Sequence, residues 1–347
     1  MRNNLPLITI ITPTYNRKEL LEKAILSVIN QNKDISFDWE LLIVDDGSKD
    51  GTKEFIKNYL NNYGDNIKYF YQENAGMNNA RNLAFDNMSN ESDYITFLDA
   101  DDEFKDDCFK TCLNKFNELR NQGFYDKTLG LFFFAEDEFK NLIGTKNILS
   151  GNHEIFIDYK KYLSGLFSFE PGFIFKSDFF KNKINRFNKD LPSGGTGILW
   201  ADWWKKELGD NNNFLIFFDY IGRIYRQEVD NRLTFEFTKN KKRLLENARS
   251  QEKINEIIGS DLIKYGYKKK YAFYLFTIGI NYILYGNRDN GIRSLKESLK
   301  YNFSIVVLIM LFLSWININL IYYIFLVYNK LQYKIYTILK VILNKKY

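Results

Sequence analysis

Two cysteines and one histidine are all that this 347-residue chain offers to soft metals and to imidazole chemistry. Cys108 and Cys112, in "CFKTC", lie one helical turn apart. They are read as neighbours on a core-facing helix face rather than a disulfide, in keeping with a reducing cytosol. A lone His153 gives no basis for a zinc site or a Ser-His-Asp triad and is read as a loop or surface residue. Strong charge of one sign is also missing. Lys and Arg number 48 against 43 Asp and Glu, and a net charge of +5 is too mild to argue for nucleic acid. Glycine-rich phosphate cradles are absent too: neither G-x-G-x-x-G nor G-x-x-x-x-G-K-[ST] occurs, so a nucleotide would not be held as in dehydrogenases or P-loop enzymes. No signal peptide is expected, because the apolar run of "MRNNLPLITIITPTYN" stops at Pro13 without a cleavage-type pattern. What is present is apolar and aromatic. Fractions of 45% and 17% suit a globular chain with a sizeable core, in one large domain or two moderate ones.

Over the first hundred residues strand and helix signals alternate. "LITIIT", "WELLIVDD", "IKYFY" and "YITFL" are short β-branched or aromatic runs. "KELLEKAILSVINQ", "GTKEFIKNYLNNYG" and "NAGMNNARNLAFDNM" carry helical spacing or caps. Such alternation predicts a parallel sheet wrapped by helices. Ligands of such sheets sit beyond the carboxyl ends of the strands. The polar clusters fall there: Pro13 to Asn16 after the first strand, Asp45 to Ser48 after the second, Asn74 to Gly76 after the third, Asp99 to Asp102 after the fourth. Further strands are expected at "LFFFA", "GFIF" and "FLIFF".

Three carboxylates within four positions, Asp99, Asp101 and Asp102, repel one another unless a cation or donor offsets them. Hard divalent ions take oxygen ligands from one or two carboxylates plus substrate phosphates. An Asp-x-Asp pair at a strand end supplies such a half-shell for Mn²⁺ or Mg²⁺, and the metal makes a diphosphate a better leaving group. Without a cation the three acids are expected to be mutually strained. The plainer reading, an acidic turn capping the next helix, does not explain the other three clusters.

"ITIITPTYNRKELLEKAILSVINQ", "LLIVDDGSKDGT", "QENAGMNNARN" and "YITFLDADD", in that order, resemble the inverting family 2 glycosyltransferases of GT-A fold. The resemblance covers roughly Leu7 to Asp102. It implies an α/β nucleotide-diphospho-sugar transferase fold, a mostly parallel central sheet flanked by helices, with a helical C-terminal extension. It implies a hexosyl- or N-acetylhexosaminyl-transferase using Mn²⁺ or Mg²⁺ and a nucleotide-diphosphate sugar, a UDP-sugar by preference. The acceptor would be a glycan or a polyprenyl-linked molecule of cell-surface polysaccharide synthesis. Carried over by position, Pro13 and Tyr15 would lie against the nucleobase, Asp46 would hydrogen-bond it, and Asp45 would support the pocket. Arg81 would sit near the diphosphate or the base. Asp99 and Asp101 would hold ribose and metal, Asp101 being the preferred ligand. The general base of an inverting transfer would be Asp202 in "GILWADWWKKEL", where Ala201 stands in place of the family's usual Glu. Trp203 and Arg226 are candidate acceptor or phosphate contacts. Glu170, in "FSFEPG", is the second candidate base and a candidate acceptor contact. The glycines of "PSGGTG" suit a loop closing over the donor.

The expected divisions are residues 1–235 for the transferase domain, 236–302 for a helical region with one tetratricopeptide-like helix pair, and 303–347 for a membrane-associating segment. Phe303 to Val327 carries no charge, and lysines flank it. It is long enough to span a bilayer, but polar "SWININ" near its middle and basic flanks favour helices lying in the cytoplasmic interface. The expected location is the cytoplasmic face of the plasma membrane, peripheral or monotopic, with a single span as the alternative. Competing functional readings are a nucleotidyltransferase, for which only Arg17 and Lys18 offer N-terminal basic groups, and a non-catalytic sugar-nucleotide-binding or assembly scaffold.

Overall fold

The computed structural model describes residues 5–33, 36–144, 146–165, 171–183, 185–191, 196–226, 241–316 and 320–321. The chain divides into two compact units, residues 1–230 and 231–347.

In the first unit the expected alternation is present: β1 (Leu7–Thr14), α1 (Lys18–Ile29), β2 (Asp38–Asp45), α2 (Thr52–Tyr63), β3 (Ile67–Tyr71), α3 (Met77–Asn87) and β4 (Tyr94–Phe97). There follow β5 (Asp102–Phe104), α4 (Cys108–Asn121), β6 (Thr128–Glu136), β7 (Leu142–Ile143), β8 (Glu154–Ile157), α5 (Tyr159–Ser164), β9 (Gly172–Lys176), α6 (Asp178–Lys181), α7 (Thr196–Trp204) and β10 (Phe214–Tyr225). One sheet runs β3-β2-β1-β4-β9-β6-β10-β5, with β7 beside β6 and β8 beside β10. The first four strands are parallel. Beyond them β9 runs antiparallel to both β4 and β6, so the second half is mixed rather than continuing the parallel pattern.

Both faces of the parallel half are covered, which is why β1 and β2 are near-continuous apolar runs. Ile8, Ile10, Leu41 and Ile43 join Leu21 and Ile25 of α1 and Phe109 and Phe116 of α4 in one buried cluster. Cys108 and Cys112 lie in that cluster as free buried thiols, on one helix face. His153 is exposed. Glu40 of β2 is buried and accepts from the Thr9 hydroxyl at 2.7 Å, the Ser89 N–H at 2.8 Å and Lys68 Nζ at 2.8 Å. A buried charge is tolerated when its lone pairs are filled in this way.

The second unit contains α8 (Lys241–Lys264), α9 (Lys268–Tyr285), α10 (Arg288–Tyr301) and α11 (Ile305–Ile316). Gly286, at φ +115°, turns α9 into α10. The two helices cross with their backbones close together: a Cβ on Gly279 would fall 2.9 Å from the Gly291 carbonyl oxygen. α11 is not a free apolar tail. Val307, Met310 and Leu313 pack with Phe276, Ile280 and Leu295. Among the described residues no helix is long and apolar enough to cross a membrane. A turn is expected at "WININ", 315–319; Trp315 and Ile316 are instead helical, at the end of α11 as described, and residues 317–319 lie outside the described residues.

Candidate active site

Sheet register assembles the polar clusters. Thr14 pairs with Asp45 across β1 and β2, the Asp46 N–H donates to the Thr14 carbonyl at 2.8 Å, and the Leu98 N–H donates to the Ile11 carbonyl at 3.0 Å. The segments after β1, β2, β3 and β4 therefore meet along one sheet edge.

The two acids after β2 build that edge. Asp45 Oδ1 accepts the Ser48 N–H at 2.7 Å, and its Oδ2 accepts the Tyr69 hydroxyl at 2.7 Å. Burial, then the Asp45 carboxylate itself, push the Tyr69 phenol up, so the tyrosine remains the donor. Asp46 accepts Gln72 Nε2 at 2.6 Å, the Ala75 N–H at 2.8 Å and the Gly76 N–H at 2.9 Å. These bonds fasten the segment after β3 onto the end of β2. Gly47, at φ +88°, permits the approach, since a Cβ there would stand 2.9 Å from the Asn74 backbone nitrogen. Three protein donors leave about one acceptor position open on Asp46. Tyr15 presents an exposed ring at the tip of β1, and Pro13 is half-buried beside it.

Arginines from distant segments offset the acids after β4, although, burial apart, Asp99 and Asp101 still push the Asp102 carboxyl up, as expected of three acids this close. Asp101 pairs with Arg17. Asp99 lies 3.3 Å from Arg81 Nη2 and 3.6 Å from Arg223 Nη2. Asp102, almost fully buried, is gripped by Arg223, whose Nε donates at 2.9 Å. Burial pushes the Asp102 carboxyl up to about 7 against the pull of that guanidinium. Glu103 pairs with Arg226. Asp99 and Asp101 keep side-chain exposures of 31% and 19%.

Beside Asp99 opens a cavity of about 200 Å³. Arg81 and Arg223 share its rim with Asp99, and Phe97, Phe173, Trp200 and Trp204 wall it. Three α7 residues spaced by four, Thr196, Trp200 and Trp204, face it. Side chains of α3 hold this wall in place. Asn78 accepts the Thr196 hydroxyl at 2.8 Å and donates to the Leu191 carbonyl at 2.9 Å. Asn82 exchanges two hydrogen bonds with the Phe187 backbone. Arg81 lies over the Phe97 ring at 5.2 Å.

Asp202 and Trp203 fall off that row. Trp203 is buried and stacks on Phe179 at 4.4 Å, so it is core and not an acceptor contact. Asp202 is exposed and does not line the cavity. A base for an incoming acceptor has to lie on the open side of the donor, so exposure alone leaves its role standing. Glu170 and residues 192–195 lie outside the described residues. Sequence reasoning passed over Arg17 and Arg223 as partners of the acids, and Thr196 as cavity wall. The four-residue spacing of Thr196, Trp200 and Trp204 was the available signal for the wall. The arginines required the topology.

This fold and strand-end site define a GT-A glycosyltransferase. The chain belongs to glycosyl transferase family 2, whose profile matches residues 9–167, and is a nucleotide-sugar transferase of bacterial glycan-synthesis type. It is 32% identical over 324 residues to the GalNAc(5)-diNAcBac-PP-undecaprenol beta-1,3-glucosyltransferase of Campylobacter jejuni, covering 91% of this chain and 96% of that protein. Over 110 residues it is 36% identical to the minor teichoic acid biosynthesis protein GgaA of Bacillus subtilis, covering 32% of this chain and 25% of that protein. In structure it is similar to S. aureus TarS 1–349 in complex with UDP-GlcNAc, with a TM-score of 0.55 at 14% identity, over 84% of this chain and 90% of that one.

Proposed function

We propose that the protein transfers a hexosyl or N-acetylhexosaminyl unit, with inversion, from a UDP-sugar to a hydroxyl of a polyprenyl-linked glycan at the cytoplasmic face of the plasma membrane. The observation that carries this is the Asp99–Arg81–Arg223 rim around an aromatic-walled cavity. The nucleobase would lie against Tyr15 and Pro13 near Asp46, and the diphosphate would reach Asp99 and Asp101. Trp200 and Trp204 offer ring faces to a sugar. The acceptor class is supported by the undecaprenol-linked substrate in the name of the Campylobacter relative.

Asp99 and Asp101 fit a hard divalent cation: both are oxygen donors, both retain exposure, and Asp99 opens into the cavity. Among the described residues no three His, Cys, Asp or Glu side chains form a metal cage. A site completed by substrate phosphate needs only one or two carboxylates. Bound Mn²⁺ or Mg²⁺ would neutralise the departing diphosphate. Arg81 and Arg223, on the same rim, are placed to stabilise charge there. Asp202 is the proposed acceptor of the hydroxyl proton.

The test is a thermal-shift screen of nucleotide sugars with and without Mn²⁺, followed by transfer to an undecaprenyl-diphosphate glycan. A metal-dependent shift with a UDP-sugar and an inverted anomeric configuration in the product is the expected result. Binding without turnover across donors and acceptors would favour the scaffold reading.

A further inference from the structure

We propose that the outward face of α11 is a docking surface for an anionic lipid bilayer, on which the helix lies flat. α11 has two apolar faces with different fates. Val307, Met310 and Leu313 are buried against α9 and α10. Phe303, Ile305, Ile309, Phe312, Trp315 and Ile316 stand between 45% and 72% exposed. An exposed apolar surface of this extent marks an interaction site.

Packing decides the orientation. A helix with one side packed on protein can offer only its other side to lipid, which is how an interfacial helix lies.

Charge selects the occupant. From Phe303 to Tyr347 the sequence holds five lysines, Lys330, Lys334, Lys340, Lys345 and Lys346, and no Asp or Glu. Arg293, Lys296 and Lys300 of α10, just before this segment, are exposed. Basic groups flanking an apolar helix face complement the anionic cytoplasmic leaflet. The same flanks on two copies of the chain would repel each other. Trp315, with the Arg288 guanidinium 4.4 Å from its ring centroid, is the kind of aromatic that settles at a headgroup boundary.

The experiment uses the full chain and needs neither donor nor acceptor, so it can fail while the transferase assignment stands, and the reverse. Flotation with phosphatidylcholine vesicles, with and without phosphatidylglycerol, is compared for wild type and the Phe312→Glu/Trp315→Glu double variant. Wild type should float with anionic vesicles, more weakly with neutral ones. The double variant should partition at least about tenfold less. Both positions are exposed, and an unchanged melting curve confirms that the variant folds. Brominated lipid should quench wild-type tryptophan emission and have less effect on Trp315→Phe, which should still bind. Equal flotation of wild type and double variant overturns the proposal. So does a wild-type dimer in light scattering that the double variant dissolves while neither binds vesicles.

Discussion

Asp101 pairs with Arg17 in a half-exposed position, and such pairs contribute little to stability. Asp101→Ala should therefore leave melting of the ligand-free protein within about 1 kcal/mol of wild type. Transfer should be lost, along with Mn²⁺-dependent retention of UDP. Full metal-dependent turnover in this variant would sink the metal assignment. Asp202→Asn is the sharper test, since its carboxylate stands off the cavity row. Loss of a general base typically costs about 10²–10⁴-fold in rate. We expect kcat to drop by that order with donor Kd nearly unchanged. An unaffected kcat would return Asp202 to an ordinary surface role and send attention to Glu170. The strand-end position of Asp99 and Asp101 was legible in sequence, because the acids follow the apolar run of β4; their arginine partners were not. Asp46 was legible only in part: it was assigned to a nucleobase, and its three protein donors come from residues 26 to 30 positions away.

At the scale of elements, the first four strands could be read because each is a short buried run followed at once by polar residues. β5 could not, because Asp102 to Phe104 becomes a strand only by pairing with β10. The reversal at β9 is likewise a non-local choice, made when β9 inserts between β4 and β6. α11 was legible as apolar, but its composition does not say which face would be covered. That was settled by α9 and α10. Near the start of α9, burial lowers Lys270 to about 8 from its usual 10.5. A depressed lysine disfavours the fold at neutral pH, where both states hold the proton and the folded state holds it at a cost. Between roughly pH 8 and 10.5 the unfolded chain binds more protons than the folded one, so stability rises with pH across that window. Lys270→Met should raise the melting temperature at pH 7, and the gain should shrink towards pH 10. A gain that is constant with pH would mean that the lysine is not depressed in the folded protein.

For the whole molecule, every described residue of the candidate site lies in the first unit, before Asp230. A fragment of residues 1–230 should therefore melt cooperatively and show the same Mn²⁺-dependent stabilisation by UDP as the full chain. Failure to bind would show that the second unit completes the site. The converse truncation is a poor probe. Removing residues 302–347 strips Val307, Met310 and Leu313 from Phe276, Ile280 and Leu295, so it damages the second unit as well as any membrane contact. Surface substitutions on α11 separate the two effects.

The arginine partners of the strand-end acids have a consequence for what the resting enzyme admits. Asp99, Asp101, Asp102 and Glu103 face Arg81, Arg17, Arg223 and Arg226, so the doorway is electrically settled before anything arrives. On the proposed assignment, a lone divalent cation would have to displace a guanidinium to bind, and a lone phosphate a carboxylate. Asp99 and Asp101 would hold a cation that arrives with its diphosphate, and the arginines they release would then be free to meet phosphate charge. Such a site would discriminate by company rather than by charge. Calorimetric titration with Mn²⁺ alone, or with UDP alone, should give little heat, whereas the Mn²⁺–UDP complex should bind strongly. Passing traffic of magnesium and inorganic phosphate would leave such a doorway shut.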